Sequence, residues 1–170
     1  MGQLSFTTAE IESVLDGRYN SFRQDVGDSA GAQTITSSDT RYKLTIDALG
    51  RNSITAPAYL TDRWDATNNK IALPNELDHP VYVGDISFTF TPNTSSAGVG
   101  VLHVVIDDDT PKTIRSYPFD YKGAVALNIL TTWYLGTEAG YNAKDDGVYF
   151  DLEFDDSGSI NNKGAVIYRT

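Results

Sequence analysis

From Tyr42 onwards the chain alternates apolar and polar residues with a period of two. Tyr42, Leu44, Ile46 and Ala48 are separated by Lys43, Thr45 and Asp47. Ile86, Phe88 and Phe90 are separated by Ser87 and Thr89, and Val148, Phe150, Leu152 and Phe154 by Tyr149, Asp151 and Glu153. In a β-strand successive side chains point to opposite faces, so this pattern predicts strands with one buried and one wetter face. Two further runs, Val99–Ile106 and Ala124–Tyr134, are apolar on both faces. They are expected to be covered twice, the second cover being another subunit. Turn-forming residues punctuate these runs: Pro57, Pro74, His79-Pro80, Pro92-Asn93, Asp108-Asp109-Thr110-Pro111, Lys122-Gly123 and Asp156-Ser157-Gly158. Many short strands without intervening helices predict an antiparallel sandwich or jelly roll.

The first 40 residues read differently. Thr7-Thr8-Ala9-Glu10 fits a capping box, in which a threonine hydroxyl and a glutamate three residues on satisfy free backbone donors. Ile11, Val14 and Leu15 then share a face, and Gly17 supplies a stop. An isolated helix of roughly 12–15 residues is already marginal in water, so this one must pack on its own domain or on another subunit. Residues 24–40 are small and polar and read as a linker. The expected layout is therefore an arm over residues 1–40, with one short helix, and a head over residues 41–170. Within the arm, Phe6, Ile11, Val14 and Leu15 are the apolar groups available for attachment.

Composition narrows the function. Tyrosine (10) and phenylalanine (7) are plentiful while methionine occurs once, which suits strands. Thirteen cationic residues face 23 acidic ones, and the net charge of −10 opposes nucleic acid and anionic membrane as partners. Without cysteine there is no disulfide framework and no thiolate site. No apolar run approaches the length of a bilayer span, and the start lacks a secretory pattern, so assembly in a cytoplasm is expected.

Few motifs promise chemistry. Gly27-Asp28-Ser29-Ala30-Gly31 matches G-x-S-x-G, which in hydrolases exposes a serine on a strained strand-to-helix turn. Here no buried apolar strand precedes it and no helical pattern follows. His79 precedes Pro80 in a turn, and His103 lies within a strand. Neither has the spacing of a zinc ligand pair. Asp107-Asp108-Asp109, Asp145-Asp146 and Asp155-Asp156 lack the spacing of a calcium loop, and Asp107 and Asp109 are the first place to look for a divalent ion. No enzymatic activity, cofactor or metal is expected.

Three stretches carry a resemblance: Leu44–Gly50, Trp64–Leu73 with its W-D-x-x-x-N-x-I pattern, and Val81–Phe90 with its Y-V-G-D-I-x-F-x-F pattern. Together with Gly147–Phe154 and Gly164–Thr170 they resemble small bacteriophage capsid-decoration, head-fibre and tail-fibre heads. Those heads have a jelly roll similar to tumour-necrosis-factor and complement-type globular heads. The resemblance covers roughly residues 42–170. It implies a virion structural protein, a homotrimer with aromatic groups at the threefold contact, here Tyr82, Tyr117, Phe119, Tyr149 and Tyr168. It also implies other phage virion proteins as partners, and a virion location. An alternative within the same fold is a tail-fibre head that binds a receptor or a host-surface glycan.

Overall fold

The computed structural model describes residues 22–55, 64–72, 81–94, 97–134 and 146–169. The strands in chain order are β1 (Phe22–Gly27), β2 (Gln33–Ile35), β3 (Tyr42–Lys43), β4 (Arg51–Thr55), β5 (Trp64–Asp65) and β6 (Lys70–Ile71). Longer ones follow: β7 (Val81–Pro92), β8 (Ala97–Ile106), β9 (Lys112–Lys122), β10 (Val125–Tyr134), β11 (Val148–Phe154) and β12 (Gly158–Arg169). The first sheet has the order β10-β7-β12-β1-β4, with β2 also on β12. The second has the order β5-β6-β11-β8-β9, with β3 also on β11.

All pairings are antiparallel, and they nest. β8 pairs with β9, β7 with β10, β6 with β11 and β1 with β12. A long hairpin rolled over itself gives this order, which defines a jelly roll. The fold is an all-β antiparallel jelly-roll sandwich.

The alternating residues point between the sheets. Leu44, Ile46, Ile86, Phe88, Phe90, Phe150, Leu152 and Phe154 are all buried. Phe154 of β11 stacks on Phe90 of β7 with ring centroids 3.8 Å apart. Its edges meet Phe88, Phe119 and Tyr121 at 6.4, 5.9 and 6.2 Å. Rings from both sheets thus close over one another, in geometries that aromatic quadrupoles favour. Gly100 leaves the space: a methyl group there would collide with the Phe119 ring.

Two expectations change. Residues 24–40 read as a linker, yet from Phe22 to Gly27 the chain is a strand hydrogen-bonded to β12 on one side and β4 on the other. Gln24 and Val26 are fully buried. The polar Gln24 is tolerated because its amide is used: Oε1 accepts from the Trp64 backbone N–H at 3.1 Å, and Nε2 donates to Asn52. From Phe22 on, the segment belongs to the sandwich. The alternation over 42–48 places Leu44 and Ile46 inside, but only Tyr42–Lys43 pairs as a strand. Ala48 instead turns with φ of 58°. Phe6, Ile11, Val14 and Leu15, with the helix expected around them, lie outside the described residues.

Candidate functional site

The W-D-x-x-x-N-x-I pattern has a structural purpose. Trp64 is buried and its indole N–H donates to the Ile46 carbonyl at 3.0 Å. Asp65 accepts from the Asn68 side-chain amide at 2.6 Å, and then from the backbone N–H groups of Asn68 and Thr67, which together hold its carboxyl below the usual range. Asn69 takes the left-handed conformation and accepts the Ile46 N–H, so that Ile71 can enter the core. The motif is a clasp between segments.

Ser29 is held by Asp47. Its hydroxyl and backbone N–H both donate to Asp47, at 2.9 Å each. Those bonds, the backbone one first, and a further N–H from Leu49 lower the Asp47 carboxyl to about 2. The carboxylate organises a turn. Of the two aspartates singled out as possible ion ligands, Asp107 is ion-paired, while Asp109 donates its backbone N–H to Asp108 Oδ1 at 2.7 Å. Asp107 pairs with Lys70 at 2.8 Å and Lys43 at 3.9 Å, and Asp108 with Lys112 at 3.0 Å. Among the described residues no group of three or more ligand side chains is placed to hold a metal. Asp155 accepts from Tyr121 and the Val99 N–H, and Asp156 from Thr94. His79 lies outside the described residues.

The two outer sheet faces differ in character. On the second sheet a polar and charged cluster is set among outward valines of β8 such as Val99 and Val101. His103 of β8, only 5 % exposed, lies opposite Asp151 of β11 and Ser116 of β9. Its Nδ1 is 2.8 Å from Ser116 Oγ and its Nε2 is 3.3 Å from Glu153 Oε2. Arg41 adds an ion pair to Glu153 at 3.4 Å and donates to Thr113. Lys43 stands over the Tyr149 ring at 4.1 Å. Serine, histidine and carboxylate in a chain evoke nucleophilic catalysis. Here the three groups come from β8, β9 and β11, and their bonds tie those neighbouring strands together.

Burial lowers the His103 pKa first, then the charge of Arg41, against the opposing pull of Glu153. The unfolded chain therefore takes up the proton before the folded one as pH falls through the ordinary value near 6.5. Stability is expected to decline below that pH and level off once the folded imidazole is charged. Asp151 acts oppositely and lower on the scale, since burial raises its pKa above the ordinary 3.8. A series of thermal midpoints from pH 7.5 to 5.5 should slope downward on acidification, and His103→Gln should flatten that slope. An unchanged slope in the variant assigns it elsewhere.

The first sheet presents a different outer face. Leu130 of β10 is 63 % exposed at its middle, although it belongs to the run expected to be covered twice. Its row continues through Asp85 of β7 to Val166 of β12. The next row holds Thr132, Val83 and Tyr168, and Ala126 and Thr89 lie on the far side of the centre. Among the described outward side chains of β10, β7 and β12, Asp85 carries the only charge.

Of the five aromatic residues expected at a subunit contact, the four whose side chains are described are spread over both sheets. Tyr168 lies on this face, beneath Arg23, whose guanidinium is 5.5 Å from the ring centroid. Tyr149 is buried on the outer face of the other sheet, under Lys43. Phe119 packs its ring into the chain's own core against Phe88 and Phe154. Tyr117 bridges strands, its hydroxyl donating to the Thr132 carbonyl at 2.9 Å and accepting the Thr132 N–H. The side chain of Tyr82 lies outside what is described. Aromatic type alone cannot separate core from contact, because rings suit both.

These features define an all-β jelly-roll domain whose distinctive surfaces are sheet faces. No protein-family model matches the chain, and no curated protein matches it in sequence. Among solved structures it is similar to the Eiger TNF of S. frugiperda, at 10% identity over 88% of this chain and 91% of that one, with a TM-score of 0.46. It is also similar to the top component of cowpea mosaic virus, a naturally occurring empty particle, at 11% identity, 88% and 79% coverage, and a TM-score of 0.32. Neither likeness carries a functional conclusion.

Proposed function

We propose that this chain is a non-enzymatic structural protein of a bacteriophage virion. It works as a homotrimer that decorates the capsid or heads a fibre, held to other virion proteins through the residues before Phe22. The observation that supports the trimer is the outer face of β10, β7 and β12. A chain with a net charge of −10 leaves a nearly uncharged sheet face there, with an exposed leucine on its edge strand β10. Depletion of charge and enrichment of apolar and aromatic groups mark the centres of subunit interfaces. The virion assignment rests on the sequence pattern over residues 42–170.

Light scattering of the purified chain should report three copies per particle. Leu130→Lys should shift it to monomers, because three lysines would be brought into a desolvated contact. As an exposed position, it should alter the monomer's own stability by no more than about 0.5 kcal/mol. A wild-type chain that is monomeric at micromolar concentration overturns the proposal.

A further inference from the structure

Lys163 and Asp28 form the most enclosed pair of opposite charges described in the molecule. Their side chains are 2% and 3% exposed, and Nζ lies 2.9 Å from Asp28 Oδ2. Two features put the lysine inside. The ladder of β12 against β7 shifts register between Asn161 and Gly164, and Asn162 adopts a left-handed φ of 50°. That bulge turns Lys163 away from solvent. On the other side Asp28 follows directly on β1, and its backbone N–H donates to the Lys163 carbonyl at 2.9 Å, which clamps the two residues together.

Among the described residues, buried Asp28 Oδ2 has Lys163 Nζ at 2.9 Å as its contact, in a geometry that does not align a donor hydrogen on the oxygen. The other oxygen, Oδ1, accepts the Asp47 backbone N–H at 2.9 Å. An amine in fixed contact with a carboxyl group, one of whose oxygens is held by an N–H, is arranged for acyl transfer.

We propose that Lys163 and Asp28 condense to an intramolecular amide bond. Within the contact a proton passes from the ammonium to Oδ2, leaving an amine and a carboxylic acid. The Nζ lone pair attacks Cγ while the Asp47 N–H holds the charge that develops on Oδ1. The C–Oδ2 bond then breaks, and Oδ2 leaves as water with a second proton from Nζ. No oxidation or reduction occurs and no other reactant is required. The product ties β12 to the residue that follows β1, and Oδ1 remains a carbonyl oxygen on the Asp47 N–H.

The test is the mass of the intact wild-type chain, measured unfolded. The expected value is one water molecule below that of the sequence, and a protease digest should yield one branched peptide containing both Asp28 and Lys163. Lys163→Arg, which retains the charge, should restore the full mass. A wild-type chain at full mass with linear peptides only overturns the inference and leaves the pair an ion pair.

Discussion

Phe154→Ala is expected to remove about 4 kcal/mol of folding stability, the scale of emptying a fully buried aromatic site. The ring touches Phe88, Phe90, Phe119 and Tyr121, which come from both sheets, so no single strand can move inward to fill the hole. Part of the loss is transfer of the ring to water, and part is the edge-to-face and stacked contacts, each worth about 0.5–1.5 kcal/mol beyond area. Domains of this kind hold about 5–15 kcal/mol in total, so the variant should be close to unfolding at ordinary temperature. Urea titration should show a lower midpoint with an unaltered slope. A loss below about 1 kcal/mol would mean that the cluster re-packs freely and does not join the sheets.

The second large effect concerns the enclosed pair. Lys163→Met keeps the length of the side chain and removes its nitrogen, leaving the Asp28 carboxylate buried with the Asp47 N–H as its described hydrogen bond. Removing one partner of a buried pair costs about 3–5 kcal/mol, because the remaining charge has lost both water and counter-ion. Changing both residues, in Asp28→Leu with Lys163→Met, should recover the part of that loss due to the stranded charge, but not the part due to losing the proposed amide tie. Chemical unfolding of the two single variants and the double variant measures the coupling. Additive single effects would show that the two groups act independently.

Much of this fold was legible in the sequence, and the reason is periodicity. Phe88, Phe90, Phe150 and Phe154 announce their inward faces because each alternates with a polar neighbour, and the paired strands follow that alternation. β1 was hidden because Gln24 and Asp25 read as solvent-facing. Gln24 is buried through bonds to Trp64 and Asn52, 40 and 28 residues away, and no local pattern encodes such partners. Lys163 escaped notice for the same reason: its burial depends on a register shift and on an aspartate at the opposite end of the chain. Sites made by pairing distant strands are the least visible in a sequence. The grouping of His103 with Ser116 and Glu153 is another case, with separations of 13 and 50 residues.

The placement of β1 determines how the sandwich bears mechanical load. The strand lies between β12 and β4, with Phe22 level with Arg169. A pull transmitted through the residues before Phe22 thus acts on a strand laced along both edges, and dislodging it means breaking two ladders. An outermost strand would peel away one bond at a time. Force entering the chain at Phe22 therefore meets two ladders at once.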